Sequence, residues 1–344
     1  MKFLITGGAG FIGSALIRYL IKDKSHEVIN IDKLTYSGNL DSLRDVEKSE
    51  LYSFRKIDIC DSEAIRGVFL ECTPDLVINL AAESSVDRSI DDPSKFIETN
   101  VVGTYSMLEQ VRHYWDEIDG EKREKFRFLH VSTDEVFGSL GMQDEPFNES
   151  SSYNPSSPYS ASKAGSDHLV RAWGKTYGLP VLITNSSNNY GPYQFPEKLI
   201  PLIIINAIRG KKVPVYGDGT QVRDWIHVND HAKALVAVAE KGRVGEAYMI
   251  GGNNEERNID IVRAICEILE DIQFPKPKGL KYYPDLIDFV EDRKAHDFRY
   301  GLEVNKIKNE VGWKPSISFS IGLKETVNWY LSNEWWWERL IKSD

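Results

Sequence analysis

Residues 2–13 read KFLITGGAGFIG, an apolar run followed by a glycine-rich loop. Gly7, Gly10 and Gly13 have the spacing G-x-x-G-x-x-G, and a candidate helix runs from Ser14 to Lys22. Glycines at these positions let the backbone turn tightly and approach a pyrophosphate, whose negative charge is favoured at a helix N-terminus. The stretch therefore predicts that the chain begins with the nucleotide-binding unit of a Rossmann-type sheet.

A carboxylate follows at the end of the next candidate strand. Asp32 lies about 20 residues beyond the glycine loop, where an acidic side chain can accept a hydrogen bond from a ribose 2′-hydroxyl. The same carboxylate would repel a 2′-phosphate, so the position predicts NAD rather than NADP, with Lys33 as the one contrary feature. The alternative, a turn residue at a strand end, is less favoured because the glycines precede it.

Short β-rich runs alternate with helical stretches through the first half of the chain. This alternation predicts βαβ units and an α/β fold, a doubly wound parallel sheet covered by helices on both faces. The candidate strands are Lys2–Thr6, Glu27–Ile31, Tyr52–Ile57, Asp75–Leu80, Phe126–Ser132 and Val181–Asn185, and the candidate helices include Ser62–Cys72 and Pro93–Trp115.

The alternation of predicted strands and helices ends near Asn189, and prolines and glycines are frequent in the chain after that point. We predict an NAD-binding Rossmann domain over residues 1–189, completed by later segments around residues 220–250. Residues 190–344 are expected to form mainly a smaller, substrate-binding domain.

Composition limits the classes of partner. The chain has 344 residues with 42 basic and 52 acidic side chains, and the net charge of -10 disfavours nucleic acid and anionic membranes. The three cysteines form no C-x-x-C pair, which argues against a zinc site or a disulfide framework. Leu199–Ile208, the most apolar later stretch, is only about half a membrane span. With no recognisable signal peptide, we expect a cytoplasmic protein without a bound metal.

A second motif has the features of a helix start. Ser157 suits the N-cap, Pro158 the first helical position and Gly178 the far end. Tyr159 and Lys163 are then four residues apart and share one face. Lowering a tyrosine pKa from ~10 to ~7 takes about 4 kcal/mol, which a nearby ammonium and a positively charged nicotinamide could contribute. Chance also produces such pairs, but downstream of a nucleotide loop the pair indicates a short-chain dehydrogenase/reductase of the extended type.

The strand that begins at Phe126 is followed by Thr133, Asp134 and Glu135. In open α/β sheets the ligand lies beyond the carboxyl ends of the strands, so these side chains should face it. Oxidation or epimerisation needs only the hydroxyl and the tyrosine–lysine pair. Two added carboxylates indicate a further acid–base step, with one protonated and the other ionised. The alternative is a hydrated acidic turn.

Longer strings carry a more specific resemblance. From Lys2 to about residue 330 the chain resembles the dTDP-glucose 4,6-dehydratases, which belong to the extended short-chain dehydrogenase/reductase family. The matching strings are LAAES at 80–84, TDE at 133–135, YSASK at 159–163, NNYGPYQFPEKL at 188–199, VYGDG at 215–219, VRDW at 222–225 and DRKAHD at 292–297. Phe137 stands where tyrosine is usual, and Asn79 and Ser85 stand where histidines are usual. None of these is a proton-transfer group, although Ser85 bears on the identity of the nucleotide.

The resemblance implies that dTDP-glucose is converted to dTDP-4-keto-6-deoxyglucose with loss of water, and that NAD is the cofactor. Tyr159 would be the base for the C4 hydroxyl with Lys163 beside it, Thr133 would polarise the C4 oxygen, Glu135 would take the C5 proton and Asp134 would protonate the departing C6 hydroxyl.

The implied contacts fall into two sets. Those to the cofactor are Gly7, Gly10, Phe11, Ile12, Gly13, Asp32, Lys33, Leu34, Thr35, Asp58, Ile59, Leu80, Ala81, Ala82, Ser84, Thr99, Tyr159, Lys163 and Asn189. Those to the nucleotide sugar are Ser84, Thr133, Asn188, Lys198, Leu199, Pro214, Val215, Tyr216, Arg223, Asn258, Asp292, Arg293 and His296.

Other readings stay open at this point. One is a related dehydratase, epimerase or decarboxylase acting on a UDP-, GDP- or CDP-sugar. Another is a catalytically silent NAD-binding protein that acts through an interface. The acidic pair argues against a simple epimerase, and the intact Thr133, Tyr159 and Lys163 argue against a silent protein. We also expect a homodimer formed by the exposed faces of Pro93–Trp115 and Tyr159–Tyr177. The cluster Trp335–Trp337 is favoured as a packed tail or an oligomer contact over a binding platform.

Overall fold

The structure, a computed structural model, describes residues 1–293 and 296–342. Its strands are β1 (Lys2–Thr6), β2 (Glu27–Ile31), β3 (Tyr52–Arg55), β4 (Leu76–Asn79), β5 (Arg127–Thr133), β6 (Val181–Ser186), β7 (Asn188–Tyr190), β8 (Val213–Tyr216), β9 (Val222–His227), β10 (Ala247–Ile250), β11 (Glu255–Arg257) and β12 (Ile287–Val290).

The α-helices are α1 (Phe11–Lys22), α2 (Ser62–Cys72), α3 (Val86–Asp91), α4 (Pro93–Phe96), α5 (Thr104–Glu117), α6 (Gly120–Lys125), α7 (Pro158–Tyr177), α8 (Leu199–Ile208), α9 (Val228–Lys241), α10 (Asn258–Asp271), α11 (Phe319–Ser332) and α12 (Glu334–Lys342). Short 3-10 segments lie at Leu40–Leu43, Asp134–Phe137 and Tyr283–Leu286, and π-helical segments lie at Ile97–Gly103 and Ile307–Val311.

The main sheet has the strand order β10-β6-β5-β4-β1-β2-β3, and all neighbouring strands are parallel. The chain builds outward from β1 to β3 on one side and then returns to place β4 on the other. The crevice between the carboxyl ends of β1 and β4 is therefore the switch point at which such sheets bind ligands. The predicted α/β fold with a doubly wound parallel sheet is confirmed.

The helix predicted over Pro93–Trp115 is instead three segments. α4 passes into the π-helical segment and then into α5. The wider π turn brings Thr99 to the cleft wall while the amide of Asn100 turns inward, accepting from Glu83 N at 2.9 Å and donating to Ser162 Oγ at 2.8 Å. Such π segments often occur at functional sites, and the hydrophobic periodicity of the sequence does not reveal them.

Two layers of apolar side chains cover the faces of the main sheet, and a third apolar cluster lies in the later part of the chain. The third cluster includes Ile203 of α8, Val262 of α10, Tyr330 of α11 and both Trp336 and Trp337 of α12. By contrast, β10 and α9 return to the main sheet. Within the described ranges, no helix combines the length and apolarity needed to cross a membrane.

Candidate active site

The glycine loop forms one end of the cleft at the switch point. Gly7 has φ +70°, and a Cβ there would lie 2.7 Å from Ala81 N, so only glycine fits between β1 and the turn after β4. Gly10 is the N-cap of α1, and Phe11, Ile12 and Gly13 of its first turn line the cleft. A phosphate placed here would meet the N-terminus of a helix at close range.

Asp32 lies at the adjoining end of β2. Its carboxylate accepts hydrogen bonds from Ala9 N at 3.0 Å and Leu34 N at 2.8 Å. Burial raises the pKa of Asp32, and the two backbone N–H groups act in the opposite direction. Lys33, the contrary feature for NAD, lies 3.3 Å from Asp58 and donates to Thr99 Oγ1 at 3.1 Å. Its charge is thus balanced by a carboxylate.

The predicted cofactor residues other than Leu34 all line this one cleft. Leu34 has a left-handed backbone conformation, with φ 59°, and its backbone N–H donates to the carboxylate of Asp32. The other lining positions in the predicted set are Gly7, Gly10, Phe11, Ile12, Gly13, Asp32, Lys33, Thr35, Asp58, Ile59, Leu80, Ala81, Ala82, Ser84, Thr99, Tyr159, Lys163 and Asn189. A helix N-terminus that suits a phosphate, with a carboxylate beside it that suits a ribose hydroxyl, fits a dinucleotide.

The helix that carries the tyrosine and lysine, α7, starts and ends as predicted. Ser157 and Ser160 form a reciprocal capping box, Pro158 opens the helix and Gly178 closes it with φ 71°. Lys163 is 4% exposed and donates from Nζ to Val131 O at 2.9 Å. Burial lowers the pKa of Lys163 to about 8, and the charge of Asp167 opposes the shift.

Tyr159 is 9% exposed and lies beside Thr133 and Glu135. Burial raises its pKa, the charge of Glu135 raises it further, and the hydrogen bond with Thr133 acts in the opposite direction. A tyrosine in this position can act as a base only when positive charge stands close to its ring. Lys163, one turn along α7, is a cation of this chain on the same helix face.

The two carboxylates after β5 have different surroundings. Asp134 is 2% exposed and accepts from Thr133 Oγ1 at 3.2 Å, while its Oδ2 has no hydrogen-bond partner among the described residues. Burial raises the pKa of Asp134 well above its ordinary value, and the charges of Glu135 and Asp224 add to the shift. These surroundings favour the protonated form of Asp134, which is the form that a proton donor requires.

Glu135 has cations around it. Burial raises its pKa, but the positive charges of Arg223, Arg293 and Lys198 act against that shift. The carboxylate of Glu135 is thus easier to ionise than that of Asp134. The two residues are adjacent in sequence and suit different tasks. The buried acid Asp134 can protonate a leaving group, and the carboxylate of Glu135, with cations near it, can remove a carbon-bound proton.

The predicted substrate residues fall into two groups. Ser84, Thr133, Asn188 and Lys198 line the cleft, and Lys198 Nζ donates to Ser84 O at 2.9 Å. Leu199 opens α8. The second group lies around β8 and β12: Pro214, Val215, Tyr216, Asn258, Asp292 and His296.

Arg223 and Arg293 are close enough to Glu135 for both positive charges to act on its carboxylate. Arg223 donates to the backbone oxygens of Val222, Asp297 and Phe298, whereas the Nε of Arg293 is buried without a partner among the described residues. Lys294 and Ala295, within the matched string, lie outside the described residues.

Sequence reasoning missed several lining residues. Tyr36, Glu197 and Gln194 line the cleft, and so do Ser42 and Trp336. Glu197 and Gln194 belong to the long string at 188–199 and could have been included on that ground. Nothing in the local pattern around Ser42 or Trp336 indicates a role in the cleft.

Replacing Lys163 with methionine is expected to change how stability depends on pH. Because folding lowers the pKa of Lys163 from 10.5 to about 8, the unfolded chain binds more protons between these values. The contribution of this group to stability therefore rises as pH increases through that window. Thermal unfolding is measured at pH ~8 and ~10. Between these two values the Tm of the unmodified protein should rise by a few degrees relative to the Tm of Lys163→Met. Lys175→Met, at an exposed lysine of the same helix, is the control. Identical pH profiles for the unmodified protein and Lys163→Met would refute this account.

A nucleotide cleft at the switch point, with a tyrosine and a lysine one helical turn apart beside a threonine, defines a short-chain dehydrogenase/reductase of the extended type. The family model described as GDP-mannose 4,6 dehydratase matches residues 4–326. The chain is 55% identical to a dTDP-glucose 4,6-dehydratase of Escherichia coli, over 99% of this chain and 96% of that protein. It is 56% identical to one of Haemophilus influenzae, over 97% of this chain and 98% of that protein.

Solved structures give the same result. The chain is similar to dTDP-glucose 4,6-dehydratase of Bacillus anthracis in complex with NAD, with a TM-score of 0.87, 45% identity and 99% of both chains covered. UDP-glucose 4-epimerase of Thermotoga maritima reaches a TM-score of 0.84 at 28% identity, covering 97% of this chain and 100% of that one. The fold is therefore shared between dehydratases and epimerases. The chain belongs to the dTDP-glucose 4,6-dehydratase family, within the extended short-chain dehydrogenase/reductases.

Proposed function

We propose that this chain is an NAD-dependent hydro-lyase that converts dTDP-glucose into dTDP-4-keto-6-deoxyglucose. One observation carries the choice of an elimination over an epimerisation. Asp134 and Glu135, a buried acid and a cation-supported carboxylate, lie beside Tyr159 and Thr133 in the cleft. A 4-epimerisation, which removes a hydride from C4 and returns it to the other face, needs no such pair.

The residues of the cleft have separate tasks in this mechanism. NAD, held by the glycine loop and Asp32, would supply a two-electron acceptor and donor, so that C4 could be oxidised and C6 later reduced without net redox change. Tyr159 Oη takes the proton of the C4 hydroxyl, with Lys163 favouring the phenolate and Thr133 Oγ1 hydrogen-bonding the C4 oxygen. Glu135 removes the C5 proton, which the C4 ketone has made acidic. Asp134 protonates the C6 hydroxyl, which leaves as water. Glu135 returns its proton to C5 when C6 is reduced, and the proton that Tyr159 took from the C4 hydroxyl balances the one that Asp134 gave.

The charged groups beyond the acidic pair suit a nucleoside diphosphate. Arg293 has an unpaired buried Nε among the described residues, and Arg223 is held in position by three backbone oxygens. Guanidinium groups recognise phosphate oxygens with paired donors. Tyr216, exposed beside Pro214, offers a ring on which a base can stack. We assign the sugar to the acidic pair and the diphosphate to the arginines.

The test compares nucleotide sugars on purified protein. dTDP-glucose, UDP-glucose, GDP-mannose and CDP-glucose are incubated with the protein without added NAD and then with it, and keto-sugar formation is followed. We expect turnover of dTDP-glucose to exceed that of the others. Faster turnover of UDP-glucose would reassign the nucleotide, and a 4-epimer without loss of water would refute the dehydratase assignment.

Cofactor choice gives a further prediction. Asp32 should make binding of NAD more than about tenfold tighter than binding of NADP, because its carboxylate repels a 2′-phosphate. Asp32→Ala should narrow that ratio to a few-fold, and Asp32→Asn, which keeps an acceptor for one backbone N–H, should separate charge from local structure. Calorimetric titration with both cofactors measures the ratios. Equal affinities in the unmodified protein would contradict this role of Asp32.

We also propose a cytoplasmic homodimer. Ile97 and Val102 of the π-helical segment, Tyr105 of α5 and Tyr177 of α7 are exposed on elements that pack against each other. An exposed group of this kind suits a helical interface between two copies. Light scattering should give about twice the chain mass of 39.2 kDa. A fully active monomer would exclude the interface.

The division of labour along the chain is part of the proposal. Residues 1–189, completed by segments around 220–250, would carry NAD, and residues 190–344 would mainly carry the nucleotide sugar. The separate apolar cluster around α8, α10 and α11 supports a second unit. The return of α9 and β10 to the main sheet supports the completing segments.

A further inference from the structure

The C-terminal helix α12 brings a tryptophan into the wall of the cleft. Trp336 is 2% exposed, and its indole Nε1 donates to Ser42 Oγ at 3.2 Å. Both residues line the cleft, whose other lining residues lie between positions 7 and 198. A residue from the far end of the chain is therefore built into the nucleotide site.

Ser42 belongs to the segment that leaves β2 and forms the outer wall of the cleft. Arg18 Nη1, from α1, donates to Ser42 O at 2.6 Å. Closer to β2, Asn39 N donates to Ala9 O at 2.9 Å, which ties the same segment to the glycine loop. The wall is thus fastened at Ala9, at Arg18 and at Trp336.

A second wall of the cleft, formed by Tyr193 and Gln194 after β7, is fastened to the same C-terminal helices, and the ring centroid of Tyr193 also lies 4.4 Å from the guanidinium carbon of Arg18. Tyr193 lies edge-on to Trp336, with ring centroids 5.5 Å apart, and its ring centroid lies 4.5 Å from that of Trp329 in α11. Tyr330 Oη donates to Gln194 O at 2.5 Å. Since Tyr193 and Gln194 line the cleft, α11 and α12 join its two walls.

We propose that the docked C-terminal helix is part of the cofactor site, and that Trp336 is a positioning residue that keeps the two walls together around NAD. The inference rests on the proposed function, because it takes NAD to be the occupant of this cleft. A cofactor is released more easily when the segments that line its cleft can move, so a contact that fixes two of these segments slows dissociation. The two tryptophans next to Trp336 in the sequence have other surroundings. Trp335 is exposed beside Arg44, and the Nε1 of Trp337 donates to Tyr330 O at 2.8 Å within the third apolar cluster.

A matched pair of substitutions on one helix tests the proposal. Trp336→Phe and Trp337→Phe each replace a buried indole with phenyl and each remove one N–H hydrogen bond, but only position 336 lines the cleft. NAD release from the holoenzyme is followed with a coupled dehydrogenase that consumes free NAD, and thermal unfolding without NAD reports packing. We expect about tenfold faster release from Trp336→Phe and little change in release from Trp337→Phe. Ser42→Ala, which removes the hydroxyl partner, should speed release by a smaller factor.

The outcomes separate this inference from the proposed function. NAD release from Trp336→Phe and Ser42→Ala at the unmodified rate would overturn the inference and leave the proposed function standing. An equal acceleration in Trp336→Phe and Trp337→Phe would also overturn it, because the effect would then belong to helix packing in general. If the unmodified protein binds no NAD, the proposed function fails and the inference fails with it.

Discussion

Replacing Tyr159 with phenylalanine is expected to lower kcat by about 10³-fold or more, since the loss of a positioned acid–base group costs ~10²–10⁴. The ring should stay in place because it packs edge-on against Phe96, with centroids 6.3 Å apart. Only the hydroxyl is removed, and with it the group that takes the C4 proton. The block therefore precedes any oxidation of the sugar, and the nicotinamide absorbance should stay constant when dTDP-glucose is added.

Tyr282→Phe is the control, because Tyr282 is exposed and lies outside the cleft and the proposed dimer interface. It should retain full turnover. Binding of NAD and of dTDP-glucose to Tyr159→Phe is measured by calorimetry, so that a loss of activity can be separated from a loss of binding. Product formation by Tyr159→Phe at the rate of the control would show that another group takes the C4 proton.

The sheet and the cofactor end of the cleft could be predicted because their signals are local. Gly7, Gly10 and Gly13 stand at fixed spacings within one loop, and Asp32 follows at the end of the next strand, 19 residues after Gly13. The start of α7 is encoded within four residues by Ser157 and Ser160. Such features recur at fixed spacings, and therefore a single sequence is enough to detect them.

The parts that escaped prediction depend on contacts between distant residues. Trp336 and Ser42 are 294 positions apart, and neither stands in a pattern that indicates a ligand. The π turn that places Thr99 in the cleft is fixed by the bonds of Asn100 to Glu83 and Ser162, and these partners come from other elements. Periodicity describes one element at a time, and so it cannot report what another element requires of it.

The roles of the acidic pair illustrate the same difference. The sequence predicts that one carboxylate is protonated and the other ionised, while the resemblance alone decides which is which. The structure supplies a physical reason: Asp134 is enclosed beside two other carboxylates, and Glu135 is near three cations. Those cations include Arg223 and Lys198, which lie on separate segments of the later half of the chain. Their approach to Glu135 is a property of the folded chain.

Glu135→Gln is expected to stop the reaction after C4 has been oxidised, with product formation lowered by about 10²–10⁴-fold. The amide keeps the shape and hydrogen-bonding reach of Glu135 but cannot accept the C5 proton. Because Tyr159 and Lys163 remain, dTDP-glucose should still cause a rise in nicotinamide absorbance, and that rise should persist instead of decaying.

In deuterated water, C5 of the sugar bound to Glu135→Gln should take up no deuterium, since no other group in the mechanism exchanges that position. Glu145→Gln, at an exposed carboxylate in the turn that follows, is the control and should turn over normally. If Glu135→Gln forms product at the unmodified rate, Glu135 is not the C5 base. If it binds dTDP-glucose but shows no rise in absorbance, the separation of C4 oxidation by Tyr159 from C5 deprotonation by Glu135 is wrong. The Glu135→Gln result also distinguishes a dehydratase from an epimerase of the same fold. A 4-epimerase with the same sheet, cleft and tyrosine–lysine pair removes no C5 proton, so it has no step that this substitution could interrupt.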